Sequence, residues 1–216
     1  MPTVEKIKSF YDGYLDKLYK PTIRHQFILN SFDTMTLQGR TVLDIGCGTG
    51  ITTKHLAGRA RSVVGVDLSS VLIEYATLNN SAPNIQYFAS DILEWTWPTR
   101  FDFISMVDVL EHIPEDRLGA LFYTIKNLSH ERTEIYVNIP TGDVLRYLND
   151  NFPDILQVVD VPHDDVIELF NRIGFIPSYY RMYWNQYVEY LFSTSNSMAV
   201  TFDTIFQSLR RSASNG

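Results

Sequence analysis

The sequence predicts an α/β fold: a mostly parallel sheet with helices on both faces, closed at its end by an antiparallel hairpin. Three observations predict it. Short apolar, partly β-branched runs alternate with helical stretches between residues 41 and 140, the rhythm of βαβ units. The runs are apolar almost throughout, as strands buried on two faces are. The aromatic stretch FIPSYYRMYWNQYVEYLF (175–192) is two strands long, with WNQ (184–186) at its middle as the turn, and asparagine tolerates turn conformations.

The elements follow in order. Val4, Ile7, Tyr11, Tyr14 and Leu18 recur at steps of three and four, which predicts an amphipathic helix. Pro21 interrupts it, and a second helical segment runs from about Thr22 to Met35. Strands are predicted at TVLDI (41–45), SVVGVD (62–67), IQYFA (85–89), FDFISMVD (101–108) and TEIYVNIP (133–140). Helices are predicted from about Gly50 to Ala57, from Ser69 to Asn79 with Ser69 as N-cap, and from Pro114 onward. Glu115 and Asp116 suit the first turn of that last helix electrostatically, and Leu118, Leu121, Phe122, Ile125 and Leu128 form its apolar stripe. Residues 141–161 read as irregular, with helical hints from Val144 to Leu148. Val166 to Ile173 reads as a helix stopped by Gly174. The final SASNG reads as a frayed tail.

Composition narrows the function. A chain of 216 residues suits one domain and can bury roughly 70% of its unfolded surface. A formal net charge of −7 without Lys/Arg runs argues against nucleic acid as a partner. A single cysteine, Cys47, rules out an intrachain disulfide and fits a reducing, cytoplasmic setting. The N-terminus lacks the apolar core of a secretory signal, and no apolar run is long enough to span a membrane.

The chemistry concentrates in TVLDIGCGTG (41–50). Gly46 and Gly48 leave no Cβ between the backbone and a ligand, and Asp44 places a carboxylate in front of the turn. Asp67 ends the second strand, about 20 residues on, where an acid grips a ribose diol. Asp91 follows the third strand. Asp108, Glu111 and His112 follow the fourth, within VDVLEHIP (107–114). Four successive strands thus bring polar groups to one sheet edge, where open α/β sheets bind ligands. A dinucleotide fingerprint would need glycine where Ile51 stands. Asp44 is also an unsuitable neighbour for a pyrophosphate and a good one for a cationic amino acid end.

LDIGCGTG, VVGVDLS, the acid at Asp91 and VDVLEHIP together resemble the class I S-adenosylmethionine-dependent methyltransferases over residues 41 to about 140. The EHIP stretch is similar to the ubiquinone-biosynthesis and natural-product branch. The resemblance implies a Rossmann-like, seven-stranded, mostly parallel sheet with an antiparallel C-terminal hairpin strand and an N-terminal helical lid. The chain then divides into a lid (1–36), a cofactor-binding core (37–140) and acceptor-side elements with the hairpin (141–216). The cofactor implied is S-adenosyl-L-methionine, with S-adenosyl-L-homocysteine as product. Asp44, Gly46, Cys47 and Gly48 would border its methionine part, and Asp67 would bind the ribose hydroxyls beside Leu68. Asp91 would meet the adenine amino group under Ile92, and Val107 and Asp108 would face the sulfonium. Tyr11, Tyr14 and Tyr19 would close over the cofactor, and Arg24 would reach its carboxylate. No metal is expected.

The expected reaction is methyl transfer to an oxygen or nitrogen of a small molecule. His112 is the first candidate for a general base, because it follows the fourth strand and histidine is readily poised near neutral pH. Its alternative role is to orient the next helix. His163 is the second candidate, and its alternative is to cap a helix with Asp164. The tyrosines of 175–192 read mainly as core, and Cys47 as a loop filler without a covalent role. Two rival functions are a nicotinamide-dependent oxidoreductase and a non-catalytic cofactor-binding subunit.

Overall fold

The computed structural model describes residues 3–18, 20–151 and 163–194. Seven strands form one sheet in the order β3-β2-β1-β4-β5-β7-β6. They are β1 (Thr41–Ile45), β2 (Ser62–Asp67), β3 (Ile85–Ala89), β4 (Phe101–Val107), β5 (Ser129–Pro140), β6 (Phe175–Tyr183) and β7 (Tyr187–Thr194). Pairings among β1 to β5 are parallel, and β7 alone runs against its neighbours β5 and β6. The chain steps outward from β1 through β2 to β3, then returns to the other side of β1 with β4. The switch point therefore lies between β1 and β4, where such sheets open a crevice at their carboxyl ends.

Both faces are covered. On one face, Leu43, Val64, Ile104 and Ile135 pack under α6 (Glu115–Leu128) and α8 (His163–Arg172), with Leu121, Ile125, Val166 and Phe170 fully buried. On the other, Val42, Val63, Phe103 and Tyr136 meet Ile28 and Phe32 of α3 (Ile23–Asp33) and Leu56 of α4 (Ile51–Ala57). Alternate residues of each strand point to opposite faces, so near-continuous apolar runs are what two covers require.

Helix α3 is fixed at both ends. Thr22 caps it: its hydroxyl accepts the His25 backbone N–H, while His25 Nδ1 takes the Thr22 N–H. Lower down, Ser31 donates to Glu189 Oε2 at 2.8 Å, which also accepts Tyr136 OH at 2.9 Å. Arg181 closes this buried cluster with a 2.7 Å ion pair to Glu189.

Three expectations need correction. The N-terminal helix is not continuous to Leu18: α1 (Val4–Asp12) stops at Gly13, and α2 (Leu15–Leu18) is a single turn. Glycine costs about 1 kcal/mol in a helix interior and serves as a terminator; the Gly13 N–H closes α1 on Phe10 and Ser9 carbonyls. Residues 142–151 form α7 (Gly142–Asn151), which extends the helical hints at Val144 to Leu148 in both directions; Leu145 is its one buried residue. The fifth strand begins earlier, at Ser129, and the helix after Pro114 is preceded by a 3-10 turn at Leu110–His112. The helix α5 (Ser70–Asn79) starts with Ser69 as its cap, as expected. The 184–186 turn is present, with Trp184 and Asn185 both at φ 53°. The SASNG tail lies outside the described residues.

Candidate active site

The loop after β1 explains its glycines. Gly46, Gly48 and Gly50 have φ of 68°, 52° and 80°, the left-handed region that only glycine enters freely. A Cβ on Gly46 would stand 2.5 Å from Val109 Cγ2, so the loop after β4 fits directly against it. Behind the loop, Asp44 is buried and accepts the hydroxyls of Thr52 and Thr53 at 2.8 and 2.6 Å. Burial pushes its carboxyl up, and the two threonines pull it back. Asp44 thus ties β1 to α4 from behind rather than facing the ligand space.

A cavity of about 340 Å³ opens at the carboxyl ends of β1 to β4, beneath α1. It brings together most residues singled out in the sequence. Gly46, Cys47 and Gly48 form one side, Asp67 and Leu68 the next, then Asp91 and Ile92. Val107, Asp108 and His112 complete the wall, and Tyr11 and Tyr14 cover it. Arg24 and Asp44 are not among the lining residues. Tyr19 and the side chain of His163 lie outside the described residues.

Asp67 is held by backbone alone: Oδ2 accepts Gly48 N–H and Oδ1 accepts Ser69 N–H, both at 2.8 Å. Burial pushes its carboxyl up against these bonds. Asp91 accepts Leu93 N–H at 3.0 Å and pairs with Arg117 at 2.6 Å. Ser69 also donates to Asp12 at 2.5 Å, and Lys8 bonds Asp12 and Ser70, so α1 is latched to the start of α5. Cys47 is buried, and burial pushes its thiol well up, which removes it as a nucleophile.

The β4 side is built differently. Asp108 sits at φ 55°, a strained conformation for a residue with a side chain. Arg24 grips both of its carboxylate oxygens and reaches Asn138, with its guanidinium 3.9 Å over the Tyr187 ring. Burial opposes the Arg24 charge, and Asp108 outweighs it. The guanidinium expected at a cofactor carboxylate is therefore engaged by the protein's own. Glu111 is 2% exposed. Burial, then the Asp108 charge, hold its carboxyl well above the usual range. His112 Nε2 lies 4.0 Å from Glu111 Oε1, and its ring meets Tyr11 edge-on at 5.4 Å.

Sequence reasoning missed His25, Arg117 and the placement of Glu111. His25 lines the cavity; burial and the Arg24 charge lower its pKa, keeping it neutral. Its spacing from Thr22 is that of a capping box, the one signal that could have found it. Among the described residues, no cluster of three metal-ligating side chains occurs and no helix is long and apolar enough to cross a membrane.

Fold and cavity together define a Rossmann-like α/β domain with a site at the carboxyl ends of its parallel strands. Residues 42–131 match the family described as "Methyltransferase domain". It is 37% identical over 116 residues to a ubiquinone biosynthesis O-methyltransferase of Paraburkholderia phytofirmans, covering 52% of this chain and 49% of that one. The chain thus spans about half the length of that relative. Among solved structures, the N-methyltransferase NodS of Bradyrhizobium japonicum, in complex with S-adenosyl-L-homocysteine, aligns with a TM-score of 0.74 at 14% identity, covering 88% of this chain and 98% of that one. The DhpI–SAH complex aligns with a TM-score of 0.72 at 18% identity, covering 88% and 96%.

Proposed function

We propose that the chain is an S-adenosylmethionine-dependent methyltransferase acting on an oxygen or nitrogen of a small biosynthetic intermediate. One observation carries this reading: a single cavity joins the left-handed glycine loop, the backbone-held Asp67 and the Asp91 edge. The group fits on two counts. The loop presents bare backbone where Gly48 has nothing within 4 Å of a Cβ position, and acids stand at the ends of the next two strands. The relative described as an O-methyltransferase favours oxygen; NodS, described as an N-methyltransferase, keeps nitrogen open.

When bound, S-adenosylmethionine supplies a methyl group activated by a sulfonium, whose sulfur leaves as a neutral thioether. Asp67 would take the ribose hydroxyls, Leu68 and Ile92 would flank the adenine, and Asp91 would receive its amino group. Gly46 and Gly48 would bed the methionine part, with Asp44 holding the loop from behind and Cys47 filling it. Val107 and Asp108 would face the sulfonium, and Tyr11 and Tyr14 would exclude water. In-line displacement needs mainly positioning and desolvation. Where the acceptor is a hydroxyl, His112 takes its proton. A reducing, cytoplasmic setting remains part of this reading.

Calorimetry with S-adenosyl-L-homocysteine and with NADH tests it. Binding of the former alone is expected; binding of NADH alone would overturn the reading in favour of an oxidoreductase. Transfer of labelled methyl to a metabolite pool distinguishes an enzyme from a cofactor-binding subunit.

A further inference from the structure

His25 stands on α3 one residue past Arg24 and lines the cavity, whereas Arg24 does not. Its ring is held by the capping box at the start of that helix. Nδ1 lies 3.1 Å from the Thr22 backbone nitrogen and 2.8 Å from the Thr22 hydroxyl. A backbone N–H can only donate, so Nδ1 must offer its lone pair and carries no proton. Protonating Nδ1 would set two N–H groups against each other. His25 is therefore neutral, with its one ring proton on Nε2. Burial, then the Arg24 charge, act in the same direction by lowering its pKa. Among the described residues no group bonds Nε2.

The cap thus leaves a histidine of fixed chemistry on the cavity wall. With Nδ1 occupied and Nε2 protonated, the ring has no free lone pair with which to take a proton, so His25 is not a second general base. It presents one donor, which suits an oxygen and rejects an ammonium, itself donor-only. The amino acid end of the cofactor carries one group of each kind. Its carboxylate has lost the partner that the sequence offered, because both Arg24 amino groups are taken by Asp108. A hydrogen bond to a carboxylate is charge-assisted and roughly twice as strong as one between neutral groups. We propose that His25 holds the carboxylate of bound S-adenosylmethionine through Nε2–H. This rests on the methyltransferase reading and goes beyond it, by moving the carboxylate contact from Arg24 to His25. One edge of the ring then fixes the helix and the other fixes the ligand, so the cap sets the direction of the donor.

Calorimetry on the full chain compares S-adenosyl-L-homocysteine with methylthioadenosine, which keeps the adenine, ribose and sulfur but lacks the amino acid end. Glutamate and glutamine are the usual partners of threonine in a capping box, so two variants leave the cap in place. His25→Glu keeps the capping oxygen and loses the donor. Its affinity for S-adenosyl-L-homocysteine should fall at least tenfold, with methylthioadenosine affinity within twofold and Tm unchanged. His25→Gln keeps an oxygen for the cap and an N–H for the ligand, and should stay within threefold of the native chain for both. A readout on the native chain needs no variant to fold. In nitrogen NMR with isotope-labelled histidine, Nε2 should be the protonated ring nitrogen of His25, and its signal should shift on adding S-adenosyl-L-homocysteine but not methylthioadenosine. Equal losses of the two ligands in His25→Glu, a loss in His25→Gln as large as in His25→Glu, or an Nε2 signal unmoved by S-adenosyl-L-homocysteine would overturn this assignment alone. Failure of the native chain to bind S-adenosyl-L-homocysteine would overturn the proposed function, and the assignment with it.

Discussion

The two halves of the cavity wall are built from different materials. On the β1–β3 side, Asp67 is fixed by the backbone N–H groups of Gly48 and Ser69, and Asp91 by Leu93 N–H with one side-chain partner, Arg117. On the β4–β5 side the polar groups are side chains that hold one another. Arg24 from α3, Asp108 after β4, Asn138 at the end of β5 and Tyr183 at the end of β6 make one connected group. A backbone-held site is local, so a few adjacent positions specify it. A side-chain-held site draws on four elements far apart in sequence, so each member can change with its partners.

That contrast can be broken most severely at Gly46. Gly46→Ala forces a left-handed φ on alanine and drives its Cβ into Val109. S-adenosyl-L-homocysteine affinity should fall by about a hundredfold or more in calorimetry; a near-native affinity would show the loop's conformation to be incidental. His112→Ala probes the opposite wall. Turnover should fall by about a hundredfold, with cofactor affinity unchanged, when the acceptor is a hydroxyl that needs a base. Equal kcat in the variant would remove His112 from proton transfer. Asp67→Ala should weaken S-adenosyl-L-homocysteine by about tenfold, because hydrogen bonds to a charged group are worth roughly 1.5–3 kcal/mol. An effect on acceptor KM alone would put Asp67 on the wrong wall.

The smallest effect lies outside both walls and serves as a control. Asp102, partly buried, accepts Thr41 N–H and hydroxyl at 2.8 Å and His130 at 3.0 Å. Burial acts to raise its pKa, but these partners outweigh it and leave the carboxyl below its ordinary value. Its contribution is complete above the unfolded value of about 4 and disappears as pH falls through the lower folded value. Solvent screening keeps it under about 1 kcal/mol. Asp102→Asn should flatten the acid limb of a Tm-versus-pH curve without touching ligand affinity. An unchanged acid limb would mean that these partners do not couple to folding.

The same contrast governs what the sequence disclosed. Strands β1, β2 and β3 fall on the residues their apolar runs predicted; β1 and β2 are buried on both faces, while β3, at the sheet edge, is only partly buried. The glycine loop and Asp67 were legible because a left-handed φ and a strand end restrict residue type locally. Helix α7 was legible only as helical hints from Val144 to Leu148, since Leu145 is its one buried residue. The partner of Arg24 was not legible: Asp108 stands 84 positions away, and only the assembled sheet brings them together. Asp44 was placed at the right edge but on the wrong side of the loop, because one strand residue carries no sign of which face its neighbours leave open.

The latch between α1 and α5 carries a further consequence. From Gly48 the hydrogen bonds run to Asp67, on to Ser69, and from Ser69 to Asp12 on α1. Asp67 and the cover therefore share one chain of polar contacts. Thermodynamic reciprocity then applies: whatever factor a bound ligand adds to the stability of the closed cover, closure returns to the ligand's affinity. Through Ser69, Asp12 joins the cover to the strand end that carries Asp67.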